Sequence, residues 1–127
     1  MKTKIETALI VLPGKSPHSQ AISTGNLVFT QGMIYLTPEG KLLEGTIEEK
    51  IKLILNNLKA VFEEAGTSFE NVVKTTIYVT DMAAYGKVNE VYATYFSDPY
   101  PAREVVCVKQ LPLNAEIEIS MVALKAN

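Results

Sequence analysis

The sequence predicts a two-layer α+β domain in which two amphipathic helices cover one face of a sheet of about six strands. Two segments repeat apolar residues at helical spacing, and several others alternate β-branched with polar residues. These segments follow the order strands, helix, strand, helix, strands. The 127 residues are 47% hydrophobic and 20% charged, which excludes a disordered chain and fits one domain over 1–127 with its own core.

Ala21 to Ser23 and Leu27 to Thr30 flank Gly25-Asn26, a hairpin signal. A further short strand is expected over Gly32 to Leu36, ending in the turn Pro38-Glu39-Gly40. Ile47, Ile51, Ile54, Leu55, Leu58, Val61, Phe62 and Ala65 then mark a helix over 47–65. Thr46 and Glu49 have capping-box spacing at its start, and Gly66 suits its end. Val72 to Thr80 reads as a strand with Val73, Thr75, Ile77 and Val79 on one face. Asp81 can cap a second helix over 83–96, closed by Pro99 and Pro101. Strands over 102–109 and 115–124 complete the chain. The second face of such a sheet carries Ile and Val beside polar residues, so self-association through it is expected.

Several function classes are excluded. The formal charge of −2 and the absence of a basic run with interleaved aromatics leave nucleic acid an unexpected partner. The N-terminal apolar run, Ala8 to Leu12, is too short for a secretory or membrane segment, so a reducing cytoplasmic location is expected. With one cysteine and one histidine, a Cys/His zinc site would need carboxylates or another subunit. Gly14-Lys15-Ser16 imitates the end of a P-loop, but Leu9 stands where its first glycine belongs. His18-Ser19 lacks the strand–elbow–helix setting of a serine hydrolase.

The remaining candidates are few. Arg103 opens a strand after Pro-Tyr-Pro-Ala; position alone reads it as an exposed strand arginine with a surface partner, and its fork can also hold a carboxylate with two parallel hydrogen bonds. Glu116 and Glu118 alternate with apolar residues on the last strand; the more common reading is a solvated strand face, and a half-buried carboxylate there can also act as general base. As like charges they call for a cation, which Arg103 on an adjacent strand or a group from another subunit would supply. Position alone reads Asn89 as an exposed helix residue, His18 as a loop surface group and Cys107 as a buried inert thiol.

Six stretches together resemble the RidA/YjgF family of reactive-intermediate deaminases. They are Ser-Pro-His-Ser-Gln-Ala (16–21), Gly-Asn-Leu-Val-Phe-Thr-Gln-Gly (25–32), the run from Glu63 to Met82, Val-Asn-Glu-Val-Tyr-Ala-Thr-Tyr-Phe (88–96), Pro-Ala-Arg (101–103) and Leu-Pro-Leu-Asn-Ala-Glu-Ile-Glu-Ile (111–119). The resemblance implies a chorismate-mutase-like fold with a mixed sheet, a homotrimer, and clefts between subunits for small 2-imino or 2-oxo carboxylic acids. It implies hydrolysis of 2-iminobutanoate and 2-iminopropanoate to the 2-oxo acid and ammonia, with no cofactor and no metal. By the same resemblance Arg103 binds the substrate carboxylate, Glu118 positions the attacking water and Asn89 lies near the cleft. His18 stands where the family usually has tyrosine, Gln31 where serine is frequent, Met33 where glutamine is frequent and Val105 where many members have cysteine. Backbone groups near Val105 would face the substrate nitrogen. Two other readings compete: a non-catalytic small-acid binder on the same fold, and the RNA-cleaving or translation-inhibiting role that the family has also carried.

Overall fold

Thr46 starts the principal helix with two reciprocal hydrogen bonds. In the computed structural model, which describes residues 1–126, the Glu49 backbone N–H donates to the Thr46 hydroxyl at 3.1 Å. The Thr46 N–H donates to the Glu49 carboxylate at 3.0 Å, which holds that carboxyl below its ordinary range. Two donors that a helix start leaves unpaired are thereby satisfied. Helix α1 runs Ile47–Glu64, and Gly66 follows at φ +77°, where the chain reverses in the left-handed region. Its buried stripe is Ile51, Ile54, Leu55, Leu58, Val61 and Phe62. Asn127, the last residue of the expected 1–127 domain, lies outside the described residues.

The stripe packs on a six-stranded mixed sheet. The strands are β1 (Lys2–Ile5), β2 (Ala21–Thr24), β3 (Leu27–Thr30), β4 (Val72–Val79), β5 (Ala102–Cys107) and β6 (Ile117–Leu124), in the spatial order β1-β2-β3-β6-β4-β5. Among the described residues, only the β4–β5 pair is parallel. A parallel pair needs a crossover, and helix α2 (Tyr85–Tyr92) supplies it. Thr75, Ile77 and Val79 of β4 and Ile117, Ile119, Met121 and Ala123 of β6 are buried on the helix side. Thr76, Tyr78, Glu118, Ser120 and Val122 take the other face and are half-buried. Among the described residues, no helix is long and apolar enough to cross a membrane.

The two-layer α+β arrangement is as expected, and several details differ. Strand β1 was not anticipated, because three of its four residues are polar and exposed and only backbone pairing to β2 defines it. The strand expected over Gly32 to Leu36 is irregular chain. Met33 exchanges backbone bonds with Ile119, but Met33, Ile34 and Tyr35 are buried in succession, without the in–out alternation of a strand. A bulge near Val72 buries that residue and leaves Val73 exposed, opposite to the expected facing. The second helix is shorter than 83–96. Asp81 accepts from the Ala83 N–H at 2.9 Å and starts a 3₁₀ turn over Met82–Ala84. Beyond Tyr92 the Thr94 hydroxyl donates to the Val91 carbonyl, and Phe96 leaves the helix to stack on Phe69 and Tyr92. The last two strands are each trimmed by two residues relative to 102–109 and 115–124.

Gln20 ties the N-terminal loop to the sheet. Its side chain is fully buried, accepts from the Thr7 N–H at 2.8 Å, and donates to the Thr7 and Val11 carbonyls at 3.1 and 3.0 Å. Replacing Gln20 with leucine leaves those backbone groups unpaired. The expected cost is about 2–4 kcal/mol, read as a lower urea midpoint with unchanged slope.

Candidate functional site

Arg103 lies on the parallel edge strand and points to the helix side, level with Thr75. Its guanidinium carbon sits 5.0 Å from the centre of the Tyr92 ring and 5.8 Å from that of Tyr85, and Nη2 donates to the Tyr85 hydroxyl at 3.4 Å. Tyr92 is fixed in turn: its hydroxyl donates to the buried Thr75 Oγ1 at 3.0 Å, and burial pushes its pKa up. The two tyrosines are seven residues apart on α2, so they share a face and form a platform for the cation. Among the described residues Arg103 takes part in no ion pair. It lines a cavity of about 430 Å³ with Asn89, Tyr92 and Tyr100. Among the described residues, the buried Asn89 amide oxygen has no hydrogen-bond partner.

Glu118 lies on the opposite face of the sheet, level with Tyr78. It lines a second cavity, of about 570 Å³, together with His18, Gln31, Gly32, Met33 and Leu113. Burial raises its pKa, and among the described residues it has no cationic partner. Gly32 presses against it: a Cβ at Gly32 would overlap the Glu118 carboxylate, with Cδ only 2.7 Å away. Gln31 is held beside this wall, its N–H donating to the Gln20 carbonyl at 2.9 Å and its amide nitrogen 3.9 Å from the Met33 sulfur.

The expected residues therefore fall into two groups within one chain. Arg103 and Asn89 share one cavity; Glu118, His18 and Gln31 share the other. Strand spacing and rise put the Arg103 and Glu118 Cα atoms about 14 Å apart, with β4 between them. The expectation that Arg103 neutralises the Glu116–Glu118 pair from an adjacent strand does not hold. Glu116 precedes β6 and is paired instead with Lys50 of α1, Nζ to Oε1 2.5 Å. Val105 packs its side chain against the core and lines neither cavity. Cys107, expected to be buried, is exposed, because β5 is the sheet's edge and ends there.

Sequence reasoning missed Tyr85, Tyr92, Gly32 and Leu113 as site residues. The i, i+7 spacing of two tyrosines on a helix ahead of Arg103 was an available signal. Gly32 and Leu113 are brought to Glu118 only by the tertiary fold.

Residues 11–125 match the family model described as Endoribonuclease L-PSP. A RutC family protein of Aquifex aeolicus is 49% identical, over 86% of this chain and 89% of its own. The 2-iminobutanoate/2-iminopropanoate deaminase of Mus musculus is 39% identical, over 86% of this chain and 82% of its own. A crystal structure from Thermotoga maritima superposes with a TM-score of 0.94 at 47% identity, covering 100% of both chains. With this fold, these neighbours and a match over nearly its whole length, the chain belongs to the Endoribonuclease L-PSP family, also known as RidA/YjgF.

Proposed function

We propose that this protein hydrolyses reactive 2-imino acids to 2-oxo acids and ammonia, in clefts where the Arg103 side of one copy meets the Glu118 side of another. The observation that carries this reading is complementary vacancy. Among the described residues, a guanidinium on an aromatic platform and a half-buried carboxylate each lack a charged partner. They face opposite sides of one sheet, so a contact joining them is head-to-tail, and such contacts close into a ring when the rotation between copies closes. A homotrimer fits this geometry. Phe29 and Val106, exposed on the open sheet face, supply apolar surface for it.

The chemistry needs only these groups. Arg103 holds the substrate carboxylate in a fork and orients the C=N carbon. The protonated imine is already electrophilic. Glu118 takes a proton from a water as its oxygen bonds to that carbon, giving a carbinolamine. Glu118 passes that proton to the nitrogen, the C–N bond breaks and ammonia leaves; as the C=O bond forms, Glu118 takes the hydroxyl proton and hands it to the ammonia, giving the 2-oxo acid and ammonium.

An amino-acid oxidase generating the imine, with semicarbazide trapping what remains, tests the reading. Wild type should clear the imine, and Arg103→Ala should do so at least about 100-fold more slowly. Equal clearance by both proteins sinks the role of Arg103. Saturable binding of 2-oxobutanoate without any faster imine loss favours the non-catalytic binder. The pH profile is a second readout. Only ionised Glu118 accepts the water's proton, and burial raises its pKa, so activity should fall with decreasing pH above the usual carboxylate range.

A further inference from the structure

We propose that the cavity beside Glu118 selects 2-imino acids with long apolar side chains over those with a methyl or ethyl group. The inference rests on the deaminase reading of the same site and adds the class of substrate. The cavity's lining is mixed: Glu118, Gln31 and His18 offer polar groups, and Leu12, Met33, Leu36 and Leu113 offer aliphatic and thioether wall. Its volume, about 570 Å³, is of the size that holds drug-sized ligands, and a methyl or ethyl substituent would leave most of the apolar wall uncontacted.

Two residues of the apolar wall carry exposed surface. Leu12 is 49% exposed and Leu113 is 63% exposed. Leu113 is also held in a conformation that side-chain-bearing residues rarely adopt. Its φ is +55°, and that of Asn114 is +61°. The Asn114 N–H donates to the Leu111 carbonyl at 3.0 Å and the Ala115 N–H to the Pro112 carbonyl at 3.1 Å, and these two bonds fix the turn. Strain of this kind persists where the surroundings impose it, and it clusters at ligand sites. Here it sets a large aliphatic side chain at the cavity mouth. A substrate carboxylate gripped by Arg103 of a neighbouring copy, with its C=N carbon over Glu118, leaves only the side chain to extend along this wall.

The test is a substrate series: imines generated from alanine, 2-aminobutyrate, methionine, leucine and phenylalanine. Each methylene moved from water onto an apolar wall is worth about fourfold in kcat/KM. The leucine-derived imine should therefore exceed the alanine-derived one by at least about tenfold. Leu113→Asp, at an exposed position, should compress that ratio to about threefold or less, and Leu12→Asp, on a separate segment, should compress it too. A flat or falling series in an active wild type overturns the inference and leaves the deaminase reading intact, as does a ratio unchanged in both variants. Should wild type clear none of the imines, the deaminase reading fails. Calorimetry with the matching 2-oxo acids then decides the inference: affinity rising from 2-oxopropanoate to 4-methyl-2-oxopentanoate supports it, and equal affinities overturn it.

Discussion

Arg103→Ala and Glu118→Gln chains, each inactive alone, should regain about a quarter of wild-type activity when refolded together in equal amounts. The figure follows from the geometry. Each proposed cleft draws its guanidinium from one copy and its carboxylate from the next. With random assembly, about one cleft in four pairs an intact Arg103 with an intact Glu118. No arrangement that takes both groups from a single copy gives recovery, because every chain in the mixture lacks one of them. Imine clearance by the mixture, compared with each variant, is the measurement. Sedimentation should show the same assembly in all three samples. A mixture as idle as its components would mean that the two residues do not meet across copies, and the proposed mechanism would fail with it.

Gly32→Ala should lower kcat by about 100-fold while leaving the fold intact. Gly32 has no left-handed backbone to protect, so alanine meets no conformational penalty of its own. What it meets is the Glu118 carboxylate, which must swing away from a new methyl group. A displacement of about 1 Å in a catalytic group is enough for such a loss. Near-normal circular dichroism and melting behaviour, with kcat falling far more than KM rises, would mark misplacement of the acid. Undiminished turnover would show that the position of Glu118 does not govern the reaction.

Much of this architecture was legible in the sequence where local chemistry and burial agree. Helix α1 was readable to within a residue because its cap is a reciprocal side-chain motif and its stripe is wholly buried. The hairpin of β2 and β3 was readable from Gly25-Asn26, with Gly25 at φ +56°. Strand β1 was not, since its side chains carry no burial pattern and its existence depends on a partner strand. The exposure of Cys107 was hidden because strand alternation cannot reveal where a sheet stops. Arg103 and Glu118 were recognisable by type and by resemblance. Their separation was not, because β4, earlier in the chain, inserts between the strands that carry them. The tyrosine platform was hidden for another reason: aromatic residues on a helix face read first as core, and Tyr92 is both core and platform.

The platform has a kinetic side. Thr75, Tyr92 and Arg103 belong to one strand–helix–strand unit, and their contacts span residues 75–103. The pocket around Glu118 needs residues as distant as Gly32 to close on it. Loop closure costs more over the longer separation, and contacts between near neighbours form sooner. The cation's seat should therefore mature early in folding and the acid's late. Amide protons near Tyr92 would gain exchange protection before those near Ile119.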